Sequence, residues 1–252
     1  GYGSVPDPRL TLILSKSQAW VQGKDGSEEW KGVPNGLPVT ELSLPEYDNN
    51  HNSCIWGYMW GYDWNSAEKG DNISKPQTDA DFTPLGLMNY SEVCFLKAEA
   101  ALRGWQGAGD AKTNYENGIH ASFEEMRANA PKDSYSKSND DKYISEGNVA
   151  WNNADSFEAK LEKIITQKWI GIYPNSEEAW AEFRRTGYPK LNPVKQSLEP
   201  TINSKNGEFI KKLRYVDNEL SNNKEYATDP TLNGGQGDGL SVRVWWDTAR
   251  YK

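Results

Sequence analysis

The stretch Phe157-Glu158-Ala159-Lys160-Leu161-Glu162-Lys163-Ile164-Ile165-Thr166-Gln167-Lys168-Trp169-Ile170-Gly171-Ile172-Tyr173-Pro174 decides the fold. Phe157, Leu161, Ile164, Ile165, Trp169 and Ile172 recur at spacings of three and four, which draws one wide apolar stripe along a helix. Asp155 stands ahead of it as cap, and Glu158 follows three residues later at the spacing of a capping box. Pro174 has no N–H to donate and breaks the helix. A further helix starts at Asn175 or Ser176, buries Ala179, Trp180 and Phe183, and stops at Gly187 with Pro189 beyond.

Working toward the N-terminus, the same period governs residues 90–126. Val93, Leu96, Lys97, Ala100 and Ala101 share one face of a helix, and Gly104 sits where its C-terminus favours a left-handed residue. Asp110 is a good N-cap for the next helix, which carries Ala111, Tyr115, Gly118, Ile119, Ser122 and Met126 along one face. Small residues at the contact positions of two helices joined by a Gly-rich turn suggest a tetratricopeptide-like pair. Pro131 to Asn153 reads as a long polar loop, and the glycine-rich Gly234–Gly239 as a turn before a short terminal segment at Val242–Trp246.

Residues 1–88 differ in kind. They are rich in Gly, Pro, Asn, Ser and Asp, with turn signals at Lys24-Asp25-Gly26-Ser27 and Val33-Pro34-Asn35-Gly36. Their strand candidates are Leu10–Leu14 and residues 54–64. In the latter, Trp56, Tyr58, Trp60, Tyr62 and Trp64 alternate, so an extended chain would place all five rings on one side. Such a row is either a buried sheet face, a glycine-broken loop, or a platform for flat ligands such as sugar rings. The chain thus reads as mainly α, with helical pairs, long irregular loops and a few short strands, divided into a loop-rich, aromatic-rich segment 1–88 and a helical segment 89–252.

Composition narrows the function. The 252 residues include 11 Trp and 13 Tyr, yet the hydrophobic share is 36% and the mean hydropathy -0.84. The apolar content therefore sits in large rings that favour partly wet surfaces. Asp and Glu number 36 against 28 Lys and Arg, a net charge of -8, and no basic cluster offers phosphate contacts. No apolar run is long enough to span a membrane, and the opening Gly1-Tyr2-Gly3-Ser4 carries no export-signal pattern. Cys54 and Cys94 permit one disulfide, although Cys94 lies in a helical pattern and reads better as a buried thiol. His51 and His120 lack metal or triad motifs, and no cofactor or metal site is expected.

Several segments, in order, resemble the SusD/RagB family of outer-membrane glycan-binding lipoproteins. They are Asp7-Pro8-Arg9-Leu10, Lys31-Gly32-Val33-Pro34-Asn35-Gly36, Glu92 to Ala100, Tyr115 to Ile119 with Ser122, Gln167 to Pro174, Glu178-Ala179-Trp180, Arg184 to Pro189, and Trp245-Trp246-Asp247. The resemblance implies a tetratricopeptide-like fold with ligand-bearing loops, surface exposure at the outer membrane, capture of oligosaccharides and delivery to a TonB-dependent, SusC-like transporter. It covers the C-terminal half of the family fold. The lipid-bearing cysteine is not among these residues, and the missing N-terminal half is expected as a structural partner for helix faces that stacking would otherwise cover.

Within this reading Arg184, Arg185, Trp169 and Trp180 are structural, and Trp245 and Trp246 split between one packed ring and one partly exposed. The glycan contacts are Trp20, Trp30, Trp56, Tyr58, Trp60, Tyr62, Asp63 and Trp64. No catalytic residue is expected. The alternatives are a glycoside hydrolase built on an Asp/Glu pair, with Asp25, Glu28 and Glu29 the densest early cluster, and a helical-repeat scaffold that grips another protein.

Overall fold

The computed structural model describes residues 5–48, 51–53, 86–128, 137–194, 196–203 and 207–247. Among these every regular element is helical. The four longest helices are α1 (Tyr90–Leu102), α2 (Ala111–Ala128), α3 (Phe157–Gly171) and α4 (Ser176–Thr186). The rest are short, including Leu10–Ile13, Gln18–Val21, Val39–Leu42, Asp140–Ser145, Asp217–Asn222 and Lys224–Ala227. No helix among the described residues is long and apolar enough to cross a membrane.

The helix ends follow local chemistry. Asp110 caps α2, its carboxylate accepting from Thr113 N and Thr113 Oγ1, both at 2.8 Å. α1 ends in a Schellman motif: Gly104, at φ 76°, donates to Ala101 O, and Trp105 N donates to Ala100 O, each at 3.0 Å. α4 stops at Gly187, φ 79°, whose N–H reaches Phe183 O at 2.8 Å. The cap of α3 differs from the sequence expectation. Ser156 holds the position, its Oγ accepting from Ala159 N at 3.2 Å, while Asp155 instead pairs with Lys163 at 2.7 Å. With the cap one residue later, Glu158 no longer stands at the capping-box position.

Two compact units make up the chain: Gly1–Gly32 with Pro45–Trp180, and Val33–Leu44 with Ala181–Lys252. In the first, α1, α2 and α3 pack on one another. Their core comprises Cys94, Phe95 and Ala98 of α1, Tyr115, Ile119, Phe123 and Met126 of α2, and Leu161, Ile164 and Ile165 of α3. Cys94 is a buried free thiol; Cys54 lies outside the described residues. Phe95 is the keystone of this contact. A Cβ on Gly118 would stand 2.7 Å from Phe95 Cε1, and one on Gly171 3.3 Å from Phe95 Cε2, so both glycines are needed to admit the ring.

Polar side chains also join the helices. Lys168 is buried on α3, its Nζ 2.8 Å from Glu178 Oε1 and 3.5 Å from Glu92 Oε1, which ties α3 to both α1 and α4. Trp169, expected at a core-facing spacing, is 37% exposed, as is Phe157. Ser91 N donates to Glu125 Oε1 at 3.0 Å, linking the start of α1 to α2.

The segment Leu10–Leu14, an expected strand, holds a helical turn at Leu10–Ile13. Leu10 N reaches Asp7 O, and Leu12 N and Ile13 N both reach Arg9 O, each at 3.0 Å, and the turn buries Leu12 against Met126. The expected loop from Pro131 to Asn153 contains the short helix Asp140–Ser145. Its Asp140 pairs with Arg127, and its Tyr143 and Ile144 are buried.

In the second unit, Phe183 packs edge-to-face on Phe209 at 4.9 Å between centroids. Arg184 donates to Lys211 O at 3.0 Å and lies 4.8 Å from the Trp246 ring centroid. Arg185 pairs with Glu182 at 2.7 Å, so both arginines hold partners within the chain. Trp246 is half-buried beneath Arg184, whereas Trp245 is 94% exposed. Asn233 and Gly234 adopt left-handed φ of 53° and 68°, which turns the glycine-rich loop back so that Asp238 meets Lys212 and accepts from Tyr215 N at 2.9 Å.

Candidate functional site

The loop that carries Trp20 and leads into Trp30 is positioned from below by a buried arginine. Arg9 is fully buried. Its Nε and Nη2 grip Asp7 Oδ1 and Oδ2 at 2.9 and 2.7 Å, in the planar fork that suits a carboxylate. Nη1 donates to Ser122 Oγ of α2 at 3.0 Å, and Nη2 to Gln167 Oε1 of α3 at 2.6 Å. Tyr143 closes the network, donating to Asp7 Oδ2 at 2.8 Å and accepting from Gln167 Nε2 at 3.1 Å. The guanidinium also lies 5.3 Å from the Phe123 ring centroid. Burial alone would raise the Asp7 pKa, but the charge and hydrogen bonds of Arg9 outweigh it and hold the carboxyl below its ordinary range. The same burial pushes the Tyr143 hydroxyl up to about 12.

From this anchor the chain passes through the Leu10–Ile13 turn to Ser17, which staples the loop. Ser17 N donates to Glu29 O at 3.0 Å, Ser17 Oγ donates to Glu28 O at 2.5 Å, and the same oxygen accepts from Trp20 N at 3.4 Å. Residues 17–29 therefore form a closed loop with the turn Gln18–Val21 at one side. Trp20 is 39% exposed, and Lys16 Nζ lies 4.7 Å from its ring centroid while pairing with Glu29 Oε1 at 2.8 Å. Trp30 is half-buried, next to Lys31, whose N–H donates to Ser53 Oγ at 3.1 Å.

Of the residues expected to touch ligand, Trp20 lies within the stapled loop 17–29 and Trp30 follows it directly. Trp56, Tyr58, Trp60, Tyr62, Asp63 and Trp64 lie outside the described residues. Lys16 was not marked by the sequence and Glu29 only as a member of the acidic cluster, because a separation of 13 residues between two charges is no signal until Ser17 closes the loop. The sequence did mark the Asp7-Pro8-Arg9 segment, but not its buried network; an arginine two residues from an aspartate in an otherwise neutral stretch was the available clue.

The acidic cluster Asp25, Glu28 and Glu29 is solvated or paired. Asp25 and Glu28 are exposed, and Glu29 is engaged by Lys16. Among the described residues, the carboxyls with a displaced pKa, Asp7, Asp110, Glu124, Glu199 and Asp229, move down. A glycosidase acid needs the opposite displacement. His51 Nδ1 pairs with Asp48 at 2.7 Å and His120 Nε2 with Asp141 at 3.6 Å. Among the described residues, no group of three or more His, Cys, Asp or Glu side chains converges as a metal would require.

A family model described as SusD-like, Susd and RagB outer membrane lipoprotein, matches residues 40–247. No curated protein matches the chain. Among solved structures, a SusD homolog from Bacteroides ovatus ATCC 8483 is 31% identical at a TM-score of 0.68, covering 96% of this chain and 49% of that one. A chitin-binding SusD homolog from Flavobacterium johnsoniae is also 31% identical, at a TM-score of 0.64 and coverages of 96% and 46%. A SusD homolog from Bacteroides uniformis ATCC 8492 is 26% identical, at 0.69, with coverages of 96% and 46%. The chain spans just under half the length of each of these. The family model covers well over half of the chain, and the chain belongs to the SusD-like family of outer membrane lipoproteins.

Proposed function

We propose that this chain binds oligosaccharides without transforming them, at the outer membrane, and passes them to a TonB-dependent, SusC-like transporter. The observation that carries the reading is the 31% identity, over 96% of the chain, with a homolog described as chitin-binding.

The ligand lies on the loop-rich residues 1–88, held by Trp20, Trp30, Trp56, Tyr58, Trp60, Tyr62 and Trp64, with Asp63 taking a hydroxyl. A sugar ring offers an apolar C–H face to an indole and hydroxyls to polar neighbours. Covering one ring face contributes about 1–2 kcal/mol. Two or three rings with hydrogen bonds bring affinity to the micromolar-to-millimolar range, about 4–8 kcal/mol.

The test is a glycan array followed by calorimetry on the chain and on Trp→Ala variants at 20, 30, 56, 60 and 64, with reducing-sugar release measured alongside. Saccharide binding that falls with the ring substitutions is the expected result. Accumulation of reducing ends would replace the reading with a hydrolase. Co-purification with a transporter in the absence of any sugar binding would leave a scaffold.

A further inference from the structure

Lys16, Trp20 and Glu29 meet at one corner of the stapled loop. The Lys16 ammonium stands 4.7 Å from the indole centroid and 2.8 Å from Glu29 Oε1. The side chains of Lys16 and Glu29 are 33% and 40% exposed, and Trp20 itself is 39% exposed. An accessible aromatic ring is therefore bordered by a donor and an acceptor that already hold each other in place. The backbone that sets their distance is fixed by Ser17 N to Glu29 O at 3.0 Å and by Ser17 Oγ to Glu28 O.

We infer that Lys16, Trp20 and Glu29 form one saccharide subsite, and that its ligand is a neutral, hydroxyl-bearing sugar rather than an acidic one; the inference rests on the glycan-binding reading above. The ammonium has three N–H donors and spends one on Glu29, and the carboxylate has a second oxygen. Neighbouring hydroxyls of a sugar accept from the first and donate to the second, while the ring takes the C–H face that Lys16 leaves open. The pair stays intact throughout, so binding neither breaks an ion pair nor orders a loose side chain.

Charge decides the ligand class. In residues 15–32, Lys16, Lys24 and Lys31 are balanced by Asp25, Glu28 and Glu29, and the whole chain carries -8. An anionic sugar would compete with Glu29 for Lys16 and leave two carboxylates facing each other. A neutral sugar meets no such opposition.

Calorimetry on the full chain with neutral oligosaccharides from chitin, cellulose, starch and mannan, and with acidic oligogalacturonides of equal length, tests the inference. For a neutral oligosaccharide that binds, Trp20→Ala is expected to weaken affinity by about tenfold, and Lys16→Met or Glu29→Gln by about three- to tenfold. The double variant should be little worse than either single charge variant, because the pair acts as a unit. Affinity should change little between roughly 0.05 and 0.5 M salt. Circular dichroism melts of each variant separate loss of contact from loss of fold, and Trp245→Ala, at an exposed ring of the second unit, serves as a control.

Neutral binding that survives all three substitutions would overturn the subsite and leave the glycan-binding reading standing. A preference for oligogalacturonides that collapses with added salt would overturn the neutral class alone. Absence of binding to every oligosaccharide would remove the reading and the subsite together.

Discussion

Phe95 shows how much one missing methyl group decides. Alanine in mid-helix is favoured over glycine by about 1 kcal/mol, so Gly118→Ala would be stabilising on propensity alone. The Phe95 ring, 2.7 Å from the new Cβ, reverses the sign. Overpacking costs about 1–3 kcal/mol, and urea denaturation should show Gly118→Ala destabilised, with Gly171→Ala, at 3.3 Å, affected less. Arg9 carries the larger single-residue stake. Arg9→Met leaves Asp7 without its partner inside the fold and is expected to cost about 3–5 kcal/mol in the same measurement. The Asp7 carboxyl also makes stability depend on pH. Its folded pKa lies below the ordinary 3.8, so its stabilisation is complete above that value and is lost as pH falls through the folded one. The gap in urea midpoint between the parent and Asp7→Asn should therefore be widest near about pH 6 and close as the solution is taken below 3.8. Lys211 runs the other way. Burial, then the Arg243 charge, lower its pKa to about 8 against Asp247, which favours the cation. The folded chain sheds this proton before the unfolded chain does, so the contribution of Lys211 to stability rises with pH between about 8 and 10.5. Lys211→Met should flatten that rise in pH-dependent unfolding.

At the scale of elements, capping chemistry separates what the sequence announces from what only packing decides. α1 to α4 were legible as helices because each is long and ends in a cap or a glycine, but the face expected of α1, Val93, Leu96, Lys97, Ala100 and Ala101, is not the one it buries, which carries Ser91, Cys94, Phe95 and Ala98. Ser156 and Asp155 compete for the same role at the start of α3, and the hydrogen bond to Ala159 N assigns it to Ser156. Thermal or urea unfolding should find Ser156→Ala destabilised by about 1 kcal/mol, and Asp110→Ala by a similar amount at α2. The Leu10–Ile13 turn was misread because Leu10, Leu12 and Leu14 alternate with Thr11 and Ile13, the pattern of a strand. Four residues hold too little period to distinguish the two, and the Arg9 carbonyl, fixed by its own side chain, settles the matter. The Asp140–Ser145 helix was hidden by its polarity. It is held from outside, through Asp140 to Arg127 and Tyr143 to Asp7, and such tertiary support leaves no periodic trace. The burial of Lys168 left no mark in the sequence for a related reason. The residue falls in the middle of the α3 stripe, between Ile164, Ile165 and Ile172, where a charge can remain only if carboxylates from other elements reach it.

The whole molecule concentrates its apolar material unevenly, and this sets both what could be read of the site and how the chain should open. Ring-rich composition pointed to Trp20 and Trp30, of which the first lies in the stapled loop and the second just after it, whereas the charge pair beside Trp20 exists only because Ser17 joins residues that the sequence separates. The first unit has a continuous core from Phe95 through Tyr115, Ile119 and Phe123 to Leu161, Ile164 and Ile165, crossed by the Arg9 and Lys168 networks. The second buries Phe183, Ile202, Ala227, Leu232 and Val242, and beyond the end of α4 its helices are six residues or shorter. Amide exchange rates follow the free energy of the smallest opening that exposes each hydrogen bond. Amides in α1, α2 and α3 should therefore exchange last, and those in Asp217–Asn222 and Lys224–Ala227 at least about tenfold faster, a difference of roughly 1.4 kcal/mol or more. Arg9→Met should erase most of the protection in α2 and α3 while leaving the rates in Asp217–Asn222 nearly unchanged. Equal slowing across both units in the parent chain would mean that they open together, and the core around Phe95 would then have to support the short helices as well as its own.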